Sequence, residues 1–389
     1  MSPLSRSLIV WLVLVAAVYG VATGITALRS KEHIDAPTVI AANVLHGQLS
    51  MGFEPGATDT VTRDGETYHI ISLGPVLPYV VLAPITELRF AGRWLIGLLF
   101  GVLAAGLAWP LASRYGPGGR TTWWLASLAA FGTLLFPLST RGNFYYLAHS
   151  EAMACTFIAL IEWQGRRRSW VIAGAIGLGA LARPTLLVAL LPLAGWLLWT
   201  STSRMRTALG LAWPLAGTVA AMGIYNAVRF GSPIEVGYST AVLVNPVLIA
   251  ARAQGLFSLS HVPDNLRTLL IGGFSLQRRF PWLLPSPYGH SIFLTTPALL
   301  VAAMAPWREW TSRLLLVAAA LVTALLLLYY GGGGYNTYGY RYFLDATPFL
   351  LALVAMASRR RFGRPEQALI IASIAFCAYG VLIGFKGLA

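Results

Sequence analysis

Residues 338–350, YGYRYFLDATPFL, place Arg341 and Asp345 four apart, after the run Gly331–Gly334 and at the start of an apolar stretch. A planar guanidinium grips a phosphate bidentately. On a helix the spacing would let Asp345 orient that guanidinium as an i,i+4 partner. Tyr338, Tyr340 and Tyr342 read either as a belt at a membrane surface or as the lining of a cavity. A belt gives no reason for four glycines, whereas a close backbone approach does. Arg183, in LGALARPTLLVALLP (178–192), has apolar sequence on both sides and no nearby acid. A lone arginine at membrane depth costs about 3 kcal/mol or more, so it needs a partner or a ligand. Arg278 and Arg279, ahead of FPWLLPSP, make a second cationic pair for which lipid headgroups are the plainer occupant. His149, Ser150 and Glu151 open another apolar run, where they either line the same cavity or hydrogen-bond within a bundle. Asp35 follows the first apolar run in SKEHIDAPTVIAANVLHGQLSM. It is a candidate functional acid, with a helix N-terminal acid ahead of Ala36, Pro37 and Thr38 as the plainer reading. Glu32 and His33 are nearer the run's end, where loop charges are ordinary.

The elements that must hold these residues are set by composition. The 389 residues are 57% hydrophobic and 11% charged, and the apolar runs recur along the whole length. Runs of this kind cross a hydrocarbon layer about 30 Å thick, and only a helix satisfies its own backbone there. The expectation is an all-α, polytopic transmembrane bundle forming a single integral membrane domain over 1–389. Crossings are placed at 8–28, 94–112, 122–139, 150–164, 169–182, 185–200, 208–226, 291–306, 313–330, 343–357 and 367–385. That makes about eleven.

The net charge of +14 resides largely in arginine clusters between runs. This disfavours nucleic acid as a partner and fits topology. With a cytoplasmic N-terminus, the inside loops contain Arg6, Arg114, Arg120, Arg166–Arg168, Arg204, Arg206, Arg308, Arg313, Arg359–Arg361 and Arg364. These are 14 of the 28 basic residues, against three acids, Glu162, Glu309 and Glu366. The first run reads as an uncleaved signal anchor. Cys155 and Cys377 both lie in predicted spans, so no disulfide framework is indicated.

Two long loops, 29–93 and 227–290, are then outside and form the face on which chemistry is expected. The first begins with an interfacial helix, passes a polar insert, TDTVTRDGETYHI (58–70), and continues as LGPVLPYVVLAPITEL (73–88), a second surface helix despite Pro75, Pro78 and Pro84. In the second, residues 240–251 are apolar enough for a short span, although their length and Pro246 argue against it. Walker A, GxGxxG, HExxH and GxSxG motifs are absent, which disfavours ATP-driven transport and soluble-type nucleotide chemistry.

The ordered set EHIDAPTVIAANVLHGQL, GPVLPYVVLAP, ARPT, YNAVRFGSPIEVGY, LLPSPYG and GYRYFLDATPFL resembles the GT-C superfamily of membrane glycosyltransferases. That superfamily includes protein O-mannosyltransferases, the lipid A aminoarabinose transferase and bacterial homologues that use polyprenyl-phosphate sugars. The chain departs from it in having one clear acid, Asp35, where many members have an acidic pair, and in lacking a large C-terminal soluble domain. The resemblance implies a bacterial inner-membrane enzyme with its active site on the periplasmic or extracellular side. Sugar would pass with inversion from a polyprenyl-phosphate donor to a hydroxyl on a glycolipid, polysaccharide or protein acceptor. Asp35 would be the general base. Arg341, Arg183, Arg278 and Arg279 would hold the donor phosphate as charge develops. Glu32, His149, Glu151, Tyr338, Tyr340, Tyr342 and Asp345 would line the cavity. No cofactor is required, and a divalent cation (Mg or Mn) is compatible without being called for. The competing reading is a lipid or oligosaccharide transporter, which would set its key charges near the bilayer midplane.

Overall fold

The computed structural model describes residues 3–28, 36–52, 57–86, 90–335 and 337–383. The chain is helical, with two small hairpins. In order it forms α1 (Pro3–Leu28), α2 (Ala36–Leu45), β1 (Thr60–Arg63), β2 (Glu66–His69), α3 (Leu73–Thr86), α4 (Phe90–Tyr115), α5 (Arg120–Phe131) and α6 (Leu135–Ser139). Then follow α7 (Phe144–Gln164), α8 (Ser169–Ala182), α9 (Leu186–Thr200), α10 (Arg204–Phe230), α11 (Pro246–Ala253), α12 (Val262–Ile271), β3 (Phe274–Leu276) and β4 (Leu283–Pro285). The last part holds α13 (Ile292–Thr295), a 3-10 helix Pro297–Met304, α14 (Trp310–Leu328), a 3-10 turn Arg341–Asp345, α15 (Thr347–Ala357) and α16 (Arg364–Ile383).

Among the described residues six helices are long and apolar enough to cross a membrane: α1, α4, α7, α10, α14 and α16. α10 leaves most of its apolar surface without a protein neighbour, as a lipid-facing helix does. Helix length alone therefore yields fewer crossings than eleven. The run 122–139 is interrupted after Phe131, where Gly132 ends α5 and the Thr133 hydroxyl accepts from the Leu135 N–H to start α6. The run 291–306 is a short α-helix followed by 3-10 helix, with Pro297 at the junction. Residues 240–251 contribute the eight-residue α11, capped by Asn245. At about 1.5 Å per residue it extends about 12 Å, too short to cross.

α7 is the central helix, packed against both α4 and α8. Ala148, Ala152 and Ala159 are buried on it, and Ala104, Ala105, Ala108 and Ala112 are buried on α4. Small side chains permit close helix approach where lipid supplies little driving force for association. Polar side chains add specificity. Trp11 Nε1 donates to the Ala105 carbonyl (3.0 Å), Tyr115 Oη to that of Leu160 (3.0 Å), and the Ser139 and Ser150 hydroxyls are 2.7 Å apart.

The polar insert 58–70 is a β-hairpin. Asp64 and Gly65 both have positive φ (52° and 82°), as a two-residue primed turn demands, and Thr60 to Arg63 pair with His69 to Glu66. The Asp-Gly pair between alternating residues is a hairpin signal that a reading of this insert as merely polar overlooks. The hairpin docks on the second long loop: Asp59 N donates to the Val242 carbonyl (2.8 Å) and Val242 N to that of Thr60 (2.9 Å).

Opposite ends of the long helices have opposite characters. α7 begins at the cavity described below and ends at Arg166–Arg168. Its 21 residues span about 31 Å at 1.5 Å per residue. α10 and α14 likewise run from an arginine-bearing end to a cavity-lining one.

Candidate functional site

Asp345 is the buried hub. Its side chain is 0% exposed, and it accepts from Arg183 Nε (2.9 Å to Oδ2) and from the Thr185 hydroxyl (2.7 Å), with His149 Nδ1 3.2 Å from Oδ1. Three elements are tied together: α7 through His149, the α8–α9 break through Arg183 and Thr185, and the 3-10 turn through Asp345. The acid that Arg183 requires is therefore 162 residues away in sequence.

The expected Arg341–Asp345 pair does not form. Residues 341–345 make a 3-10 turn, in which four residues advance about 480°, so the two side chains leave on different faces. Pro348 explains the turn, since its ring would clash with the Leu344 carbonyl if an α-helix ran on through 341–352.

Arg341 is instead surrounded by rings. Its guanidinium carbon is 5.0 Å from the centroid of Tyr342, 5.6 Å from Tyr146 and 5.7 Å from Tyr145. It is 7% exposed, its Nη2 donates to Tyr342 Oη (3.3 Å), and its Nε has no hydrogen-bond partner. Among the described residues it makes no ion pair. Cation–π contacts ease its burial, but a buried cation without a counter-charge remains costly. The glycine run is what lets it lie there. A Cβ on Gly334, at φ +96°, would stand 2.4 Å from Arg341 Nε, and one on Gly333 would meet the Tyr340 ring at 3.0 Å. The Arg341 N–H donates to the Gly333 carbonyl (3.1 Å), which fastens the run beneath the arginine.

Tyr145 also reaches Asp59, which the hairpin delivers. Tyr145 Oη donates to Asp59 Oδ2. His69 Nδ1 accepts from the Ile71 N–H (3.1 Å), so its proton is on Nε2, 3.4 Å from Tyr145 Oη. Burial, followed by the charge of Arg229, pushes the His69 imidazole down to about 3 and keeps it neutral. Burial raises the Asp59 carboxyl above its ordinary range, while the Tyr145 hydrogen bond and Arg341 pull against that rise. The hairpin end is fixed by Arg229, whose Nη1 donates to the carbonyls of His69 (2.7 Å) and Ile71 (2.9 Å).

Two adjoining cavities meet at these residues. A polar one of about 380 Å³ is lined by Asp59, Asn143, Tyr145, Asn245, Tyr335 and Arg341 among others. A mainly apolar one of about 290 Å³ runs between α8, α10 and α14 and is lined by Leu181, Met222, Leu256, Leu325 and Leu326. Both are bordered by Arg183, Tyr238, Tyr329 and Tyr342.

Among the sequence candidates, Arg341, Arg183 and Tyr342 line the polar cavity. Asp345 and His149 lie behind it as the support of Arg183. Tyr338 and Tyr340 are fully buried in the bundle instead, with Tyr338 Oη donating to the Phe376 carbonyl (2.6 Å). Glu151 is buried on α7 with no hydrogen-bond partner on Oε2 and lines neither cavity. Arg278 and Arg279 are exposed at the tip of the β3–β4 hairpin beside exposed Phe280 and Trp282, and line neither cavity. Asp35, Glu32 and His33 lie outside the described residues. Sequence reasoning misses Asp59, Tyr145 and His69, for which the Asp64–Gly65 turn was the available signal. Among the described residues, no three His, Cys, Asp or Glu side chains gather as a metal site. Comparison with protein-family models, with curated proteins and with solved structures finds no match.

Proposed function

We propose that this protein is a membrane glycosyltransferase that moves a sugar from a polyprenyl-phosphate donor to a hydroxyl acceptor at the outer face of the membrane. The observation that carries the reading is Arg341: a buried guanidinium with no carboxylate paired to it among the described residues, seated on glycine and lining a cavity that adjoins an apolar one. A lipid phosphate supplies the missing counter-charge, and its isoprenoid chain occupies the apolar cavity. Bidentate guanidinium contacts stabilise the phosphate oxygen that gains charge as the glycosidic bond breaks. Arg183, its Nε held by Asp345, adds a second fixed positive charge at the junction of the cavities. Asp35, by the GT-C resemblance, takes the acceptor hydroxyl's proton as that oxygen attacks the anomeric carbon.

The cavity's place in the bundle favours this over transport. Its lining comes from the first turns of α7, the last turns of α10 and α14 and the turn before α15, whereas a transporter should centre its charges near the midplane. The test is turnover. Purified protein, given polyprenyl-phosphate sugars and a membrane glycolipid extract, is expected to release free polyprenyl phosphate, and Asp35→Asn is expected to release none. Wild-type binding of donor with no release in any combination would overturn the transferase reading.

A further inference from the structure

Arg341 accounts for a phosphate, yet the cavity it lines is also bordered by Asp59. Tyr145 touches both groups: its ring is 5.7 Å from the Arg341 guanidinium carbon, and its hydroxyl donates to Asp59 Oδ2. The cation and the carboxylate therefore share Tyr145 as a neighbour, and both line the same cavity. The hydrogen bonds run one way, from His69 Nε2–H to Tyr145 Oη and from Tyr145 Oη–H to Asp59. That leaves Asp59 Oδ1 as an acceptor with no partner among the described residues, on a residue that lines the cavity. Tyr238, Tyr330 and Tyr335 border the same space. Their rings offer apolar faces and their hydroxyls offer polar edges, as the two-sided surface of a sugar requires. Asp59 has φ 59°, a left-handed conformation uncommon outside glycine, and it is kept there by the bond from its N–H to Val242 and by the Ile70 N–H donating to its carbonyl (3.0 Å).

We propose that Asp59 and the surrounding tyrosines form the subsite for the sugar carried by the donor, with Oδ1 accepting a sugar hydroxyl and the carboxylate selecting a neutral sugar against a uronic acid. This rests on the reading that Arg341 holds the donor phosphate. A sugar linked to that phosphate lies in the cavity that Arg341 and Asp59 both line, and brings a hydroxyl to Asp59. A sugar carboxylate at the same place would meet a buried like charge.

The groups facing Asp59 are Tyr145 from α7, Tyr238 and Tyr330 from the loops, neutral His69 from β2 behind Tyr145, and Arg341 from the 3-10 turn. Asp59 is the one carboxylate among them. Because burial raises its carboxyl, protonation begins at a higher pH than for an ordinary aspartate, so affinity for the sugar falls as pH drops through that raised range.

The experiment compares wild-type and Asp59→Asn protein in nanodiscs for binding of bare polyprenyl phosphate, a polyprenyl-phosphate hexose and a polyprenyl-phosphate uronic acid. Asparagine tolerates the left-handed backbone, and the bare lipid phosphate reports whether the fold and the Arg341 site persist. The expected result is that Asp59→Asn weakens the hexosyl lipid about tenfold, the scale of a hydrogen bond to a charged group, and leaves the bare lipid unchanged. Wild-type protein should bind the uronosyl lipid more weakly than the hexosyl lipid, and the variant should lose that preference. The wild-type hexosyl affinity should fall on acidification while the variant's stays flat. Equal hexosyl affinity in both proteins, or equal hexosyl and uronosyl affinity in the wild type, would overturn the sugar subsite. Failure of wild-type protein to bind even the bare lipid would overturn the phosphate reading and the subsite with it.

Discussion

The arginines at the two ends of the bundle are the same residue put to different uses. At one end Arg168 forms a two-pronged pair with Glu162 (Nε–Oε1 and Nη2–Oε2, both 2.9 Å), Arg359 is 3.8 Å from Glu309, and Arg361 is 3.9 Å from Glu366. These arginines stay partly open to solvent, sit at short connections, and need only be positive to bias insertion. At the other end Arg183 and Arg341 are withdrawn from solvent, and each poses a charge-balance problem. Arg183 is answered from within by Asp345. Arg341 is met by rings, with no ion pair among the described residues. One arginine is thus built into the fold, and the contrast is what motivates the proposal that the other meets an anion from outside.

The sharpest way to break the contrast is to remove the internal answer. Asp345→Ala leaves Arg183 buried without its acid, and losing one partner of a buried pair costs about 3–5 kcal/mol. The expected result is a large drop in thermal midpoint in detergent and poor recovery, whereas unchanged stability would mean the pair is not structural. A smaller effect is expected from Gly334→Ala. Its Cβ would meet Arg341 Nε at 2.4 Å in a backbone conformation that side chains rarely adopt, a strain of about 1–3 kcal/mol. Lipid-phosphate affinity should fall with the guanidinium displaced, and full affinity would remove the glycine run's role as a seat. At the other end, Arg168→Ala should lower the thermal midpoint only slightly and leave lipid-phosphate affinity unchanged, because the guanidinium it removes is half-exposed and Glu162 keeps the hydrogen bond from the residue 168 backbone N–H.

What could be read from the sequence was what local chemistry fixes. The apolar runs gave the helical membrane character, the Ala-Pro-Thr turn gave the start of α2, and the prolines in 73–88 did not prevent α3. The anomaly of Arg183 among apolar residues was legible, but its partner was not, because Asp345 reaches it through tertiary packing across more than 160 residues. The i,i+4 spacing of Arg341 and Asp345 misled because it presumes an α-helix, and Pro348 makes the turn 3-10. Asp59 lay in plain view within a segment whose Asp-Gly turn marks a hairpin. Its meeting with Tyr145 nevertheless depends on how that hairpin docks against residue 242 of a distant loop. Arg278 and Arg279 had the right chemistry for a phosphate and the wrong address, at an exposed hairpin tip.

The most direct test of the central claim is the affinity of bare polyprenyl phosphate for wild-type and Arg341→Ala protein in nanodiscs, with thermal midpoints measured on the same samples. A guanidinium–phosphate contact is worth about 1.5–3 kcal/mol, so the account predicts binding weakened by about tenfold or more at an unchanged or raised midpoint. Equal affinity in the two proteins would contradict it.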